Sequence, residues 1–158
     1  MKAVEPKIES SVIKHLQQQL ANAFVLYVNY KKYHWETYGP LFPELHRLFD
    51  AHASSVLATI DELAERIRML GGHPISDPRK LVESSRVIVS TAKSTRQMVE
   101  ESGTNERTVI VEVCDGAQAA DDSGDPGSGD LFSRLVRMHE KHLWFLTEIL
   151  KSDDALVA

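Results

Sequence analysis

Two pairs of side chains with metal-ligand chemistry stand in the first half of the chain: His46 with Asp50, and Asp61 with Glu65, each four residues apart. Residues at i and i+4 project from one side of a helix, so each pair offers two donors to one ion. At about 100° per residue the four positions fall at roughly 0°, 40°, 60° and 100°, one stripe within a third of the circumference. Leu45, Leu48, Phe49, Val56, Ile60, Leu63 and Ile67 take the opposite side, which must be the buried one. The ligand stripe is therefore expected to point away from the core. The midpoints of the two pairs are about 22 Å apart at 1.5 Å per residue, so a single helix cannot close one site from both. Two such helices packed antiparallel about a two-fold axis would bring His46 and Asp50 of each against Asp61 and Glu65 of the other, giving two equivalent sites. His34, ending the preceding helix, is placed to add an imidazole. Two imidazoles with up to three carboxylates suit ferrous iron, with Zn²⁺ or Mn²⁺ as competing metals.

The stripe needs helices to carry it. Ile8, Val12, Leu16, Leu20, Phe24 and Tyr27 recur by threes and fours, the repeat of one helix face, and predict a first helix over Ile8 to Glu36. Gly39 and Pro40 end it. Pro43 suits a first turn, so the second helix is expected from Pro43 to Leu70, closed by Gly71-Gly72-His73-Pro74. Residues 75–93 lose the pattern and read as a long connection with a helical turn. Ser94 and Gln97 have capping-box spacing and start a third helix running to about Ala120. Asp121 to Gly127 reads as a turn, and a fourth helix runs from about Gly129 to Lys151 with Leu131, Leu135, Met138, His142, Phe145 and Ile149 on one face. The expected architecture is all-α: a ferritin-like four-helix bundle with a long crossover between helices 2 and 3, in one domain spanning 1–158 behind a short tail at 1–7.

Bulk composition narrows the function classes. With 158 residues, 42% hydrophobic and 26% charged, the chain fits one ordinary soluble domain. No apolar run approaches the ~20 residues needed to cross a bilayer, and the N-terminus lacks a signal-peptide pattern, so a cytoplasmic home is expected. Cys114 is the sole cysteine, which excludes thiolate metal clusters. A net charge of −5 with scattered Lys and Arg makes DNA binding weak or absent.

Tyr33-His34-Trp35, Gly39-Pro40, Phe42, Leu45-His46, Phe49-Asp50, Asp61-Glu62-Leu63-Ala64-Glu65-Arg66-Ile67 and Leu70-Gly71-Gly72 closely resemble the Dps family of mini-ferritins. The resemblance continues through Gly124-Asp125, Asp130-Leu131, His139-Glu140-Lys141 and Trp144, sparing the connection after Pro74. It implies a hollow homododecamer built from two-fold dimers, with ferroxidase sites made of His34, His46 and Asp50 of one subunit and Asp61 and Glu65 of its mate. It also implies Fe²⁺ oxidised to Fe³⁺ by hydrogen peroxide or O₂, mineral storage in the cavity, and protection from oxidative stress. Trp35, beside the site, is implied to absorb oxidising equivalents. Asp121, Asp125 and Asp130 are candidates for three-fold pores admitting Fe²⁺, since a ring of carboxylates focuses cations. Two alternatives stand beside this reading: a nucleoid protein that coats DNA, and a shell that binds zinc or manganese without turnover.

His52 falls inside the apolar stripe of the second helix, and a hydrogen-bonded core histidine is expected there, with an accessory or intrabundle metal ligand as the alternative. No Glu-x-x-His occurs in the chain, which separates it from ferritins with di-iron sites inside the bundle. His139 and His142 are accordingly expected to be packing or surface groups.

Overall fold

The computed structural model describes residues 10–151 and, among them, contains five helices and no strands. They are α1 (Ser10–Glu36), α2 (Phe42–Met69), the short α3 (Pro78–Ser84), α4 (Thr95–Asp122) and α5 (Pro126–Ile149). The expected tail at 1–7, and the start of the first helix at Ile8, lie outside the described residues. The four long helices form the bundle: α1 packs on α2 and on α4, and α4 on α5. Leu16, Leu26, Tyr30, Tyr33, Phe49, Leu63, Ile67, Met98, Phe132 and Leu146 fill its centre.

Local chemistry sets the helix ends. Phe42 and Pro43 open α2 after Gly39 turns the chain at φ +96°, a left-handed conformation that costs glycine nothing. At the other end Gly71 sits at φ +83°, and Gly72 N–H returns to Ile67 O at 2.9 Å, satisfying a carbonyl the helix leaves unpaired. The capping box read at Ser94 and Gln97 is present: Gln97 N–H donates to Ser94 Oγ at 3.2 Å, and Ser94 N–H donates to Gln97 Oε1 at 3.1 Å. The last helix begins at Pro126, three residues before the expected Gly129. Asp125 is its N-cap, accepting from Ser128 N–H at 3.0 Å, and proline at N1 is pre-set for a first turn. The polar composition of 121–127 hid that cap inside what read as a turn.

The crossover owes its path to α1. Asn22 Oδ1 accepts from Arg86 N–H at 2.8 Å, while Asn29 Oδ1 accepts from Ser90 N–H at 2.9 Å and its Nδ2 donates to Ile88 O at 2.8 Å. Gln17 does the same for Ile75 N–H at 3.0 Å and His73 O at 2.7 Å. Side-chain amides of one helix thus stand in for the backbone partners that an irregular segment lacks. Arg66, in the last turn of α2, reaches Asp125 at 2.6 Å and Ser128 Oγ at 3.0 Å, fastening α2 to the start of α5.

Gly116 of α4 lies against the fully buried Phe132 ring of α5, where an added Cβ would approach the ring to 2.8 Å. Gly116→Val is expected to lower stability by about 2 kcal/mol or more through overpacking, read as a lower thermal unfolding midpoint at matched protein concentration. An unchanged midpoint would show that Phe132 has room to move.

Candidate functional site

The end of α1 and the start of α2 bring His34 and His46 face to face, their rings stacked at 3.8 Å between centroids. His34 Nδ1 lies 2.7 Å from His46 O, and His46 Nδ1 lies 2.7 Å from His34 O. A carbonyl oxygen only accepts, so each Nδ1 carries the proton and donates. Each Nε2 then holds a lone pair, the form in which imidazole binds metal, with the other nitrogen anchored to a carbonyl. Phe42 stacks on the outer side of His46 at 5.0 Å.

Asp50, one turn on, accepts from Lys31 Nζ at 2.7 Å. That hydrogen bond, with the charge of Lys31 behind it, holds the Asp50 carboxyl below its ordinary range. It is ionised at neutral pH and ready to act as a ligand. The Lys31 ammonium also lies 5.8 Å from the centroid of the Trp35 ring. Trp35 is 68% exposed, and Tyr38, Leu41 and Phe42 beside it are exposed as well. The wet face around the two histidines is therefore aromatic and apolar, unusual for a surface that stays in water.

Asp61 and Glu65 lie farther along α2, both exposed, with no hydrogen bond or ion pair among the described residues. Their neighbour Glu62 does have a partner, Arg134, at 3.0 Å. The chain brings His34, His46 and Asp50 into one neighbourhood and leaves Asp61 and Glu65 outside it, as the rise of a straight helix requires. Of the acidic residues around the α4–α5 turn, Asp121 is exposed, Asp130 pairs with Arg134 at 3.2 Å, and Asp125 is taken up by Arg66 and the α5 cap. Partial desolvation opposes ionisation of Asp125, but its Ser128 hydrogen bonds and Arg66 outweigh it and keep the carboxyl below its usual range.

A second group of titratable side chains lies inside the bundle. Glu106 of α4 is fully buried, with His139 Nδ1 at 2.6 Å from Oε2, His142 Nδ1 at 3.2 Å from Oε1, and the Tyr30 hydroxyl donating to Oε1. Burial pushes the Glu106 carboxyl up, but His139 and His142 outweigh it and hold the pKa low. His139 and His142 are thus neither surface groups nor plain packing, contrary to expectation: both grip one carboxylate. Glu106 was missed in the sequence although it interrupts the apolar face of α4 between Ser102 and Val109, and a charge on a buried stripe was the available signal. His52 is buried, as its place on the helical wheel requires. It is not the hydrogen-bonded histidine expected there, since neither ring nitrogen has a partner. Its ring lies on His142 at 3.8 Å, and burial, followed by the nearby His142, pushes its pKa down to about 3.

Comparison with known proteins follows the fold. Residues 13–156 match the Ferritin family, described as a ferritin-like domain. The chain is 32% identical over 152 residues to DNA protection during starvation protein 1 of Deinococcus radiodurans, across 95% of this chain and 73% of that one. It is 32% identical over 144 residues to general stress protein 20U of Bacillus subtilis, across 90% and 99%. Among solved structures, Dps from Thermosynechococcus elongatus is similar over 99% of this chain and 100% of its own, at 44% identity and a TM-score of 0.92. Dps from Vibrio cholerae O1, described as a member of a broad superfamily of ferritin-like diiron-carboxylate proteins, is 30% identical over 89% of each chain, with a TM-score of 0.84.

The reciprocal bonds fix the tautomers of His34 and His46. Nitrogen-15 spectra of metal-free protein labelled at histidine are expected to show both rings protonated at Nδ1, with His34→Ala and His46→Ala supplying the assignments. Protonation at Nε2 would remove the free donor from the exposed face.

Proposed function

The chain belongs to the Dps family of ferritin-like proteins, and from that premise we propose that it oxidises Fe²⁺ at sites shared between two subunits and stores the ferric product in a hollow dodecameric shell. Iron storage and DNA protection are the roles the family supports. The observation that carries the finer reading is the pair of Nδ1-anchored histidines beside Asp50, with the unpaired Asp61 and Glu65 at a distance only a second subunit can close.

Two α2 helices antiparallel about a two-fold axis set His34 Nε2, His46 Nε2 and Asp50 opposite the partner subunit's Asp61 and the partner subunit's Glu65. The exposed Trp35, Tyr38, Leu41 and Phe42 supply the apolar area that such a contact buries. Arriving Fe²⁺ competes with Lys31 for Asp50, and the released ammonium moves toward Trp35. Carboxylates favour the harder ferric product, while two imidazoles keep the hold loose enough for release. Two Fe²⁺ each give one electron to one hydrogen peroxide, which takes two protons and leaves as two waters, so no hydroxyl radical is formed. Dioxygen is the slower oxidant. Trp35 next to His34 takes up stray oxidising equivalents. Fe²⁺ reaches the cavity past Asp121 and Asp130, and Asp125 serves that entry through the turn it caps. Zinc and manganese compete for the same donors.

DNA coating is the weaker reading, because a net charge of −5 gives little to hold phosphates. Protection then comes from removing iron and peroxide, and the expected compartment is the cytoplasm. Among the described residues no helix is long and apolar enough to cross a membrane.

Sharing of the site is tested by complementation. His46→Ala and Asp61→Ala shells, each expected to lose tight ferrous binding and rapid oxidation, are dissociated, mixed and reassembled. Random pairing leaves one intact site in every mixed dimer, so about a quarter of wild-type peroxide-driven oxidation returns. No recovery, with assembly mass normal, would sink the shared site.

A further inference from the structure

Glu106, His139 and His142 are the one group of three metal-ligating side chains that converges within the chain among the described residues, their ligand atoms within 4.8 Å of one another. All four long helices meet there: Glu106 from α4, His139 and His142 from α5, His52 from α2 and Tyr30 from α1. Glu106 and Tyr30 are 0% exposed, His52 3%, and His139 and His142 4% each. Five polar side chains without access to water are a costly way to fill a core unless something makes use of them.

Two features point to a ligand rather than to packing. The Glu106 carboxyl is fully buried with no Lys or Arg bonded to it, and the groups that reach it among the described residues are His139 Nδ1, His142 Nδ1 and the Tyr30 hydroxyl. His52, in contact with His142, has both ring nitrogens buried and unpaired. Phenylalanine would fill that position without the unpaired nitrogens. A divalent cation answers both: it neutralises the carboxylate and gives His52 a partner.

Distances permit it for Glu106, His139 and His142, and His52, whose ring lies on that of His142, must turn to complete the set. A tetrahedral ion about 2.0–2.2 Å from nitrogen and oxygen donors spaces those donors about 3.4 Å apart. His142 Nδ1 lies 3.2 Å from Oε1 and His139 Nδ1 2.6 Å from Oε2, and one donor atom from each of the three residues lies within 4.8 Å of the others, so side-chain adjustments of about 1 to 1.5 Å bring all three onto one ion. Each Nδ1 exchanges its proton for the ion while the ring is reprotonated at Nε2, so no net proton is lost. The Tyr30 hydroxyl keeps its bond to Oε1 and orients the carboxylate.

We propose that each subunit holds one zinc-class divalent cation inside its own bundle, on Glu106, His139 and His142 with His52 as fourth donor. The site is separate from the shared iron-oxidising one and independent of it. Three nitrogens and one oxygen favour zinc, or cobalt in its place, over the oxygen-seeking Mg²⁺ and Mn²⁺.

Cobalt is the probe, added to the assembled His34→Ala/His46→Ala/Asp61→Ala protein so that the shared site is silent. About one Co²⁺ per subunit should bind with the strong visible absorption of a four-coordinate ion, and Zn²⁺ should displace it. Adding Glu106→Gln should weaken Co²⁺ binding at least ~100-fold, and adding His52→Phe about tenfold. Circular dichroism and assembly mass confirm that the variants fold; if Glu106→Gln does not, His139→Gln takes its place. No Co²⁺ in the parent variant, octahedral absorption only, or unchanged affinity in Glu106→Gln would each overturn the site. Unchanged affinity in His52→Phe would strike the fourth donor.

Discussion

The 1.5 Å rise of α2 keeps His46 and Asp50 about 22 Å from Asp61 and Glu65 however the rest of the chain packs. The same helix must bury Leu45, Phe49, Val56, Leu63 and Ile67, so its ligand stripe faces outward. These two demands leave the bundle one long face of metal-ligand side chains turned away from its own core. The exposed aromatic residues at the α1–α2 turn, the anchored histidines and the unpaired carboxylates follow from that constraint.

The interior obeys a different rule. Glu106 lies where water is excluded, and Tyr30, His139 and His142 each supply an N–H or O–H toward it. Tyr30, His139 and His142 connect α1, α4 and α5 through one carboxylate near the middle of α4, while Arg66 and Asp125 connect α2 to α5 beside the α4–α5 turn. Apolar packing alone would allow helices to slide along one another. Directional polar contacts at two levels of the bundle fix the register.

Much of this was legible because it is periodic or local. The i,i+4 pairs, the opposed apolar stripe of α2 and the Ser94/Gln97 box each occupy a few consecutive turns, and each appears where its spacing places it. What escaped depends on residues far apart in the chain. Nothing near Glu106 announces that His139 and His142 will close on it, because their meeting depends on the mutual rotation of α4 and α5. The path of residues 75–93 escaped for the same reason: its hydrogen-bond partners are amides on α1, more than 50 positions away. Asp125 was hidden by its surroundings, since Asp, Ser and Gly serve turns and caps alike.

The crossed bonds between His34 and His46 make each ring the support of the other. Each side chain closes on the other's carbonyl, so the pair works as a clasp between the last turn of α1 and the first turn of α2. Removing one imidazole frees the carbonyl that accepted from it, along with the end of the helix it held. Losses on deleting the two rings therefore do not add, and most of the damage comes with the first. The clasp also makes the two histidines report on one another: whatever disturbs the joint between the helices reaches both at once.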